Sequence, residues 1–324
     1  MKAAVVFNKG ENPKYVEDFE EPGIPNEGEL LISVKAAAVK NLDKMRASGT
    51  HYSVSSEGWT PKVVGGDGVG TLEDGTLVYA IGLSGMIAEK AVVAKDQAVQ
   101  VPEGLDIATA AALPNAVMGS ALALRFRAGI KKGETVLING ATGVTGKVAV
   151  QLAKHYGAKK VIATGRNEQV LKELLALGAD EVIRVNLPDD DFINRLKQIN
   201  LQDPVDIVLD YLWGHTAELI LDALKGKGGY SHRTRYITIG GMAGDSITLS
   251  SSILRSTDIQ ISGSGFGSWT REEMKQFISD ILPEMFGLAA TGKLKIETVS
   301  FHIKEIETVW NREVESGKRL VILI

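Results

Sequence analysis

Cysteine is missing from the 324 residues of this chain. Its absence excludes disulfides, thiolate catalysis and every zinc site that uses cysteine ligands. A metal would have to be held by His, Asp or Glu. The five histidines, His51, His155, His215, His232 and His302, are scattered, with no HxxxH or HExxH pair among them. No bound metal is expected. An excess of either charge is missing too: 36 basic and 40 acidic residues leave a formal charge of -4, with no global attraction to nucleic acid or to an anionic membrane. One local basic run, "SHRTR" at 231–235, lies between a glycine pair and a strand-like segment without an RNA-binding aromatic motif, and reads as a solvated loop. No apolar run approaches the ~18 residues of a membrane span. The N-terminal "MKAAVVFNKG" reaches a turn too soon to be the core of a signal peptide. The expectation is a cytoplasmic protein with neither a nucleic-acid nor a membrane partner.

What is present is an ordinary globular composition, 44% hydrophobic and 23% charged with 35 glycines and 9 prolines. The length exceeds what one core usually serves, so two domains are expected. In the first third, "GELLISVKAAAV" (28–39), "GDGVGTLEDGTLVYAIG" (66–82) and "GMIAEKAVVA" (85–94) are β-branched runs broken by Gly and Asp-Gly, which predicts a mostly antiparallel domain. After Pro114 the pattern changes. "ETVLING", "KKVIATG", "DEVIRV", "VDIVLD" and "RYITIGG" are buried-strand candidates separated by helix-patterned segments of crossover length. Val144, Val148, Leu152 and His155 form one helical stripe; Val170, Leu171, Leu174, Leu175 and Leu177 form another. Alternation of this kind predicts an α/β, doubly wound parallel sheet. A long helical pattern at 270–291 and a final "RLVILI" strand returning to the first domain complete the division: 1–120, 121–265 and 266–324.

The strand "ETVLING" runs directly into Gly140-Ala-Thr142-Gly143-Val144-Thr145-Gly146 and then a helix. Glycines there let the backbone approach a pyrophosphate, and the free N–H groups and dipole at the helix start attract its charge. A glycine-rich turn kept only for helix–strand packing would look similar, but the strand-to-helix context favours the phosphate loop. The second strand of such a unit ends beside the adenosine ribose, where an NAD site presents Asp or Glu. This chain presents Gly165, Arg166 and Asn167. A guanidinium suits a phosphate by charge and by its forked donors, so NADP(H) is the expected cofactor. Glu168 stands one position too late for the ribose and could temper that preference.

"GDGVG", "VPEGLDIATAAALPNA", "GIKKGETVLINGATGVTGKVAVQLAKHYGAKKVIATGRN" and "LGADEVI" together resemble the medium-chain dehydrogenase/reductase superfamily, in its zinc-free quinone oxidoreductase branch. The resemblance covers essentially the whole chain. It implies a GroES-like, mostly-β catalytic domain made from both chain ends, a Rossmann domain between them and an active site in the cleft. Zinc-dependent relatives hold their metal with cysteine and a Gly-His-Glu; here the matching stretch is Gly65-Gly66-Asp67, so zinc would not polarise the substrate.

By the same resemblance, "VKNLDKMRASGTHY" (39–52) lines the cleft. Aligning Asp43 and Gly49 without a gap puts Lys40 in place of the family's active-site asparagine; a shift of one residue puts Asn41 there instead. An ammonium at that point would stabilise a developing oxyanion or donate a proton, unless Lys40 is a surface charge. Tyr52 matches the family's tyrosine, a proton or hydrogen-bond donor or a packing aromatic. His51 titrates near neutrality or is a plain loop residue. Asp43 and Arg46 are expected to form a structural ion pair. Further cofactor contacts are implied at Tyr211 and Leu212 after the fourth strand and at Gly240, Gly241 and Met242 after the fifth. Ser264 and Gly265, after the sixth, are implied in the same way.

The expected function is NADPH-dependent hydride transfer, without zinc, to a small quinone or α,β-unsaturated carbonyl. The rival reading is a non-catalytic NADPH-binding protein that senses redox state, since a fold licenses binding without guaranteeing chemistry. A homodimer is expected through "DIQISGSG" (258–265), although an internal strand would read the same way.

Overall fold

A computed structural model describes residues 1–51, 58–226, 229 and 231–324. The chain divides into two compact units, Met1–Pro114 with Ile278–Ile324, and Asn115–Phe277.

The first unit is built on mixed, mainly antiparallel sheets. Three strands, β1 (Ala3–Val6), β2 (Lys14–Val16) and β4 (Lys62–Val63), pair in the order β2-β1-β4. The larger sheet centres on β3 (Glu29–Ala38), where Ile32, Val34 and Ala36 alternate inward, as a strand covered on one face requires. It continues through β5 (Asp67–Thr71), β6 (Leu77–Ile81) and β8 (Val99–Gln100), with β7 (Lys90–Ala94) also paired to β3. On the other side of β3 lie β16 (Lys318–Leu323) and then β15 (Glu297–His302). The C-terminal segment therefore supplies core residues here: Ile306, Trp310, Leu320 and Ile322 pack with Ile32, Val34 and Ile87. A short helix, α1 (Asn41–Ser48), follows β3 and stops at Gly49, whose φ of 73° suits only a residue without a side chain.

The second unit is a six-stranded, all-parallel sheet. Its strands are β9 (Thr135–Asn139), β10 (Lys160–Gly165), β11 (Glu181–Arg184), β12 (Ile207–Asp210), β13 (Thr234–Thr238) and β14 (Ile259–Gly263). They lie in the order β11-β10-β9-β12-β13-β14, so the topology reverses direction between β9 and β12. Outside the carboxyl ends at such a reversal is where doubly wound sheets bind ligands. Crossover helices include α3 (Val144–His155) and α4 (Glu168–Ala176). Of the α3 stripe Val148 and Leu152 are buried, Val144 is partly buried and His155 is exposed; in α4 Val170, Leu171 and Leu174 are buried, Leu177 is partly buried and Leu175 is 47% exposed.

One expectation fails at α2 (Ile107–Leu122). With the π-turn that continues it to Arg127, it is a 21-residue helix whose most apolar 18-residue stretch has mean hydropathy 1.5, long and apolar enough to cross a membrane, and 78% of that stretch is buried. Small residues such as Ala110, Ala111, Ala112 and Ala116 make it a core helix. Its larger apolar residues, Ile107, Leu113, Val117, Met118, Leu122 and Leu124, are spaced by alanines and do not form a continuous run.

Candidate functional site

The loop between β9 and α3 is shaped by what its glycines lack. Gly140 has φ of 87°, and a Cβ there would meet Leu212 Cγ at 2.9 Å. A Cβ on Gly146 would lie 2.5 Å from both Ala141 Cα and Gly140 O, and one on Gly165 would collide with Thr142. The loop is thus folded back against the end of β10 as tightly as bare backbone allows. Gly143 is the N-cap of α3, with no side chain capping the helix. Val144, Thr145 and Gly146 form the first turn, so its N–H groups and the helix dipole favour an anion there. The cradle fits a dinucleotide pyrophosphate.

Beneath the loop, four adjacent strands each contribute one polar side chain. Thr164 of β10 donates to Asn139 Oδ1 of β9 at 2.7 Å, and Asn139 Nδ2 donates to Asp210 Oδ1 of β12 at 2.8 Å. Tyr236 of β13 donates to Asp210 Oδ2 at 2.5 Å. Asp210 is fully buried and also accepts the backbone N–H groups of Leu212 at 2.8 Å and Trp213 at 3.0 Å. Those bonds hold Trp213 at φ 55° and ψ -153°, a conformation that costs a non-glycine residue about 1–3 kcal/mol. The consequence is a fixed path for residues 211–213 against Gly140. Tyr211 itself is buried, its hydroxyl 3.1 Å from Ser120 Oγ, and burial raises its pKa well above the usual phenol value. A Cβ on Gly240 would stand 2.9 Å from Tyr211 O, so the second loop also passes at backbone distance.

At the end of β10, Arg166 is exposed and makes no ion pair among the described residues. Glu168 is turned away from it, bonding Lys172 and Arg184, each at 3.3 Å. Asn167 caps α4, its Oδ1 accepting Val170 N–H at 3.1 Å. Arg184 was not singled out in the sequence, yet the parallel register sets it beside Gly165. The signal is the arginine before the last valine of "DEVIRV", legible only once β11 is known to neighbour β10.

In the first unit, Lys40 is only 4% exposed, so it is no surface charge. Its ammonium pairs with Asp67 and lies 3.3 Å from Asp43 Oδ2. Tyr79 donates to the other oxygen of Asp67 at 2.7 Å. Burial is the main influence on Lys40 and lowers its pKa; Asp43 opposes this, and Arg319 adds to it. The Asp67 carboxylate, in direct contact, also favours the charged form. Asp43 additionally accepts the N–H of Lys40 and of Gly66, each at 2.9 Å. Its ion-pair partner is therefore Lys40, and the expected Asp43–Arg46 pair is absent among the described residues. The N-cap geometry of α1 explains this: Asp43, three residues into the helix, folds back over Lys40.

Asn41, the first helical residue, is exposed. His51 is half-buried, and burial, then Arg46, lowers its pKa. Tyr52 lies outside the described residues. Ser264, 5% exposed, accepts the Trp269 indole N–H at 3.0 Å, while the N–H of Gly265 donates to Ser268 at 2.9 Å. Gly241 would bring a Cβ 3.0 Å from Gly244 O, and Met242 is 68% exposed. A cavity of about 510 Å³ in this first unit is walled by Arg46, Lys62, Gly66 and Leu83 among others.

The strand order and glycine cradle define a doubly wound dinucleotide-binding fold. A family model described as zinc-binding dehydrogenase matches residues 144–282. The quinone oxidoreductase of Sus scrofa is 32% identical over 286 residues, covering 85% of this chain and 83% of its own. A probable NADPH-dependent quinone reductase of Emericella nidulans is 29% identical, covering 96% of both. Among solved structures, the quinone oxidoreductase of Thermus thermophilus, solved also as its complex with NADPH, is 26% identical with a TM-score of 0.77 over 100% of both chains. The chain belongs to the medium-chain dehydrogenase/reductase superfamily, in its quinone-oxidoreductase-like branch.

Proposed function

We propose that this protein is an NADPH-dependent quinone reductase that works without zinc, with enones as weaker substrates. Arg166 carries the cofactor part of the reading: an exposed guanidinium at the end of β10, with the nearby Glu168 tied to Arg184 and Lys172, suits a 2′-phosphate. NADPH supplies the hydride when bound, and with one proton the quinone becomes a hydroquinone. The residues Gly140–Gly146 hold the pyrophosphate by backbone N–H groups, and the Asp210 network fixes the loop that carries Tyr211 and Leu212.

Quinone is favoured over enone by the state of Lys40. A reduced quinone is already a stable anion or phenol and needs little acid assistance, whereas an enolate needs more. The Lys40 ammonium is balanced by Asp67 and Asp43, so it acts as a fixed charge at the site rather than a free donor, leaving Tyr52 or His51 to supply the proton. Zinc independence is supported by the absence of cysteine and by Gly66 in place of a histidine ligand. A homodimer in the cytoplasm is the accompanying proposal; among the described residues β14 pairs only with β13, leaving its outer edge for a second copy.

Steady-state oxidation of NADPH against quinones and enones tests the reading, with NADH and a chelator as controls. Turnover with quinones, preference for NADPH and indifference to the chelator are expected. Tight NADPH binding with no turnover would reject it in favour of a redox-sensing binder.

A further inference from the structure

Arg46 stands on the wall of the first unit's cavity, which at about 510 Å³ has the size of a small-ligand pocket. The Asp43 pairing with Lys40 leaves the guanidinium without an ion pair or hydrogen bond among the described residues. Lys62 lines the same cavity, its ammonium 3.9 Å above the Trp59 ring. The two cations feel one another: burial first, then Arg46, lowers the pKa of Lys62. Among the described residues the carboxylates of this wall are Asp43, Glu21 and Glu20. Asp43 is committed to Lys40, Glu21 pairs with Lys90 at 2.7 Å, and Glu20 is exposed. A Cβ on Gly66 would sit 3.3 Å from Asp43 Oδ1 and 3.4 Å from Arg46 Nη1, so glycine there leaves both side chains uncovered on that side. A cavity wall that sets two mutually repelling cations side by side is stabilised by an anion.

We propose that this cavity takes a quinone or enone bearing an anionic substituent, a carboxylate or sulfonate, whose oxygens meet the Arg46 guanidinium with Lys62 beside it. The inference rests on the reductase reading and names its substrate class. A forked guanidinium suits such a group, since charge-assisted bonds to paired oxygens are stronger than neutral ones.

The test compares 1,2-naphthoquinone-4-sulfonate with 1,2-naphthoquinone in the wild-type protein and in Arg46→Met. The ratio of the two kcat/KM values, sulfonate over parent, falls about tenfold or more in the variant, through KM. Arg46→Lys restores part of it, and added salt lowers the sulfonate value more than the parent value. An unchanged ratio, including a parallel fall of both substrates, overturns the proposal. Should Arg46→Met fail to fold, Lys62→Met at an exposed position lowers the same ratio roughly threefold. Calorimetry with 2-naphthalenesulfonate, which cannot be reduced, separates this inference from the reductase reading. Binding weakened about tenfold by Arg46→Met supports it even if neither quinone turns over, and no binding to the wild-type protein sinks it.

Discussion

The ammonium of Lys40 and the carboxylate of Asp67 form an ion pair inside the antiparallel unit, their side chains only 5% and 9% exposed. Lys40 follows the end of β3 and Asp67 begins β5, so the pair ties the entry of α1 to the sheet. Removing one partner strands the other charge in the interior. Lys40→Met is expected to lose about 3–5 kcal/mol of stability, read as a shift in the denaturant midpoint at constant slope. If the folded variant keeps quinone reduction and loses enone reduction, Lys40 serves the harder substrate; no effect on either removes it from the mechanism.

Tyr79 acts on the same carboxylate. Its hydroxyl bond to Asp67 lies wholly in the core. Tyr79→Phe keeps the ring and deletes one charge-assisted bond, so about 1.5–3 kcal/mol is expected to be lost. The double variant with Lys40→Met should lose less than the sum, since both changes act on Asp67. Additive losses in a double-mutant cycle would mean that the groups are independent.

The glycines of the phosphate loop make a paired prediction. Gly146→Ala sets a methyl 2.5 Å from backbone atoms of Gly140 and Ala141, whereas at Gly143 the nearest atom is 3.7 Å away. Gly146→Ala should cost about 1–3 kcal/mol and sharply weaken NADPH binding. Gly143→Ala should leave stability nearly unchanged. Thermal unfolding with and without NADPH distinguishes them.

Arg166→Gln is expected to raise the NADPH dissociation constant about 10–100-fold, the range for losing a charge-assisted bond. Affinity for NADH should hardly change. Calorimetry with both cofactors checks this; equal losses would assign Arg166 a general rather than a phosphate-specific role.

His215 provides a pH-dependent term. Its contacts with Asp189 at 3.0 Å and Glu218 at 3.4 Å raise its pKa, the Asp189 bond being the largest cause. A histidine raised on folding stabilises fully below its unfolded value, near 6.5, and loses that contribution as pH climbs through the higher folded value. His215→Ala should therefore lower Tm at pH 5.5 by no more than about 2 °C, the side chain being exposed, and leave it unchanged at pH 8.5. A larger effect at the higher pH would contradict the assignment.

Much of the cofactor half was legible because it is local. A strand, a glycine loop and a helix are contiguous in sequence, and Arg166 follows Gly165 directly. The other half was not, because its contacts join distant segments. Proximity in sequence pairs Arg46 with Asp43, but the turn into α1 gives Asp43 to Lys40 instead. Tyr79 could have been found: in the β5–β6 hairpin it pairs opposite Val69, which puts it on the same face as Asp67.

Periodicity and turn chemistry, which act over a few residues, determined by themselves that this chain has a parallel, nucleotide-type sheet and a separate antiparallel part. Tertiary structure alone decided which charges are neutralised. Burial and the partner that folding brings within about 4 Å set the fate of an ionised group, and neither follows from spacing along the chain. For that reason Lys40 is a balanced interior cation, whereas Arg46 has no ion pair among the described residues, though six residues separate them.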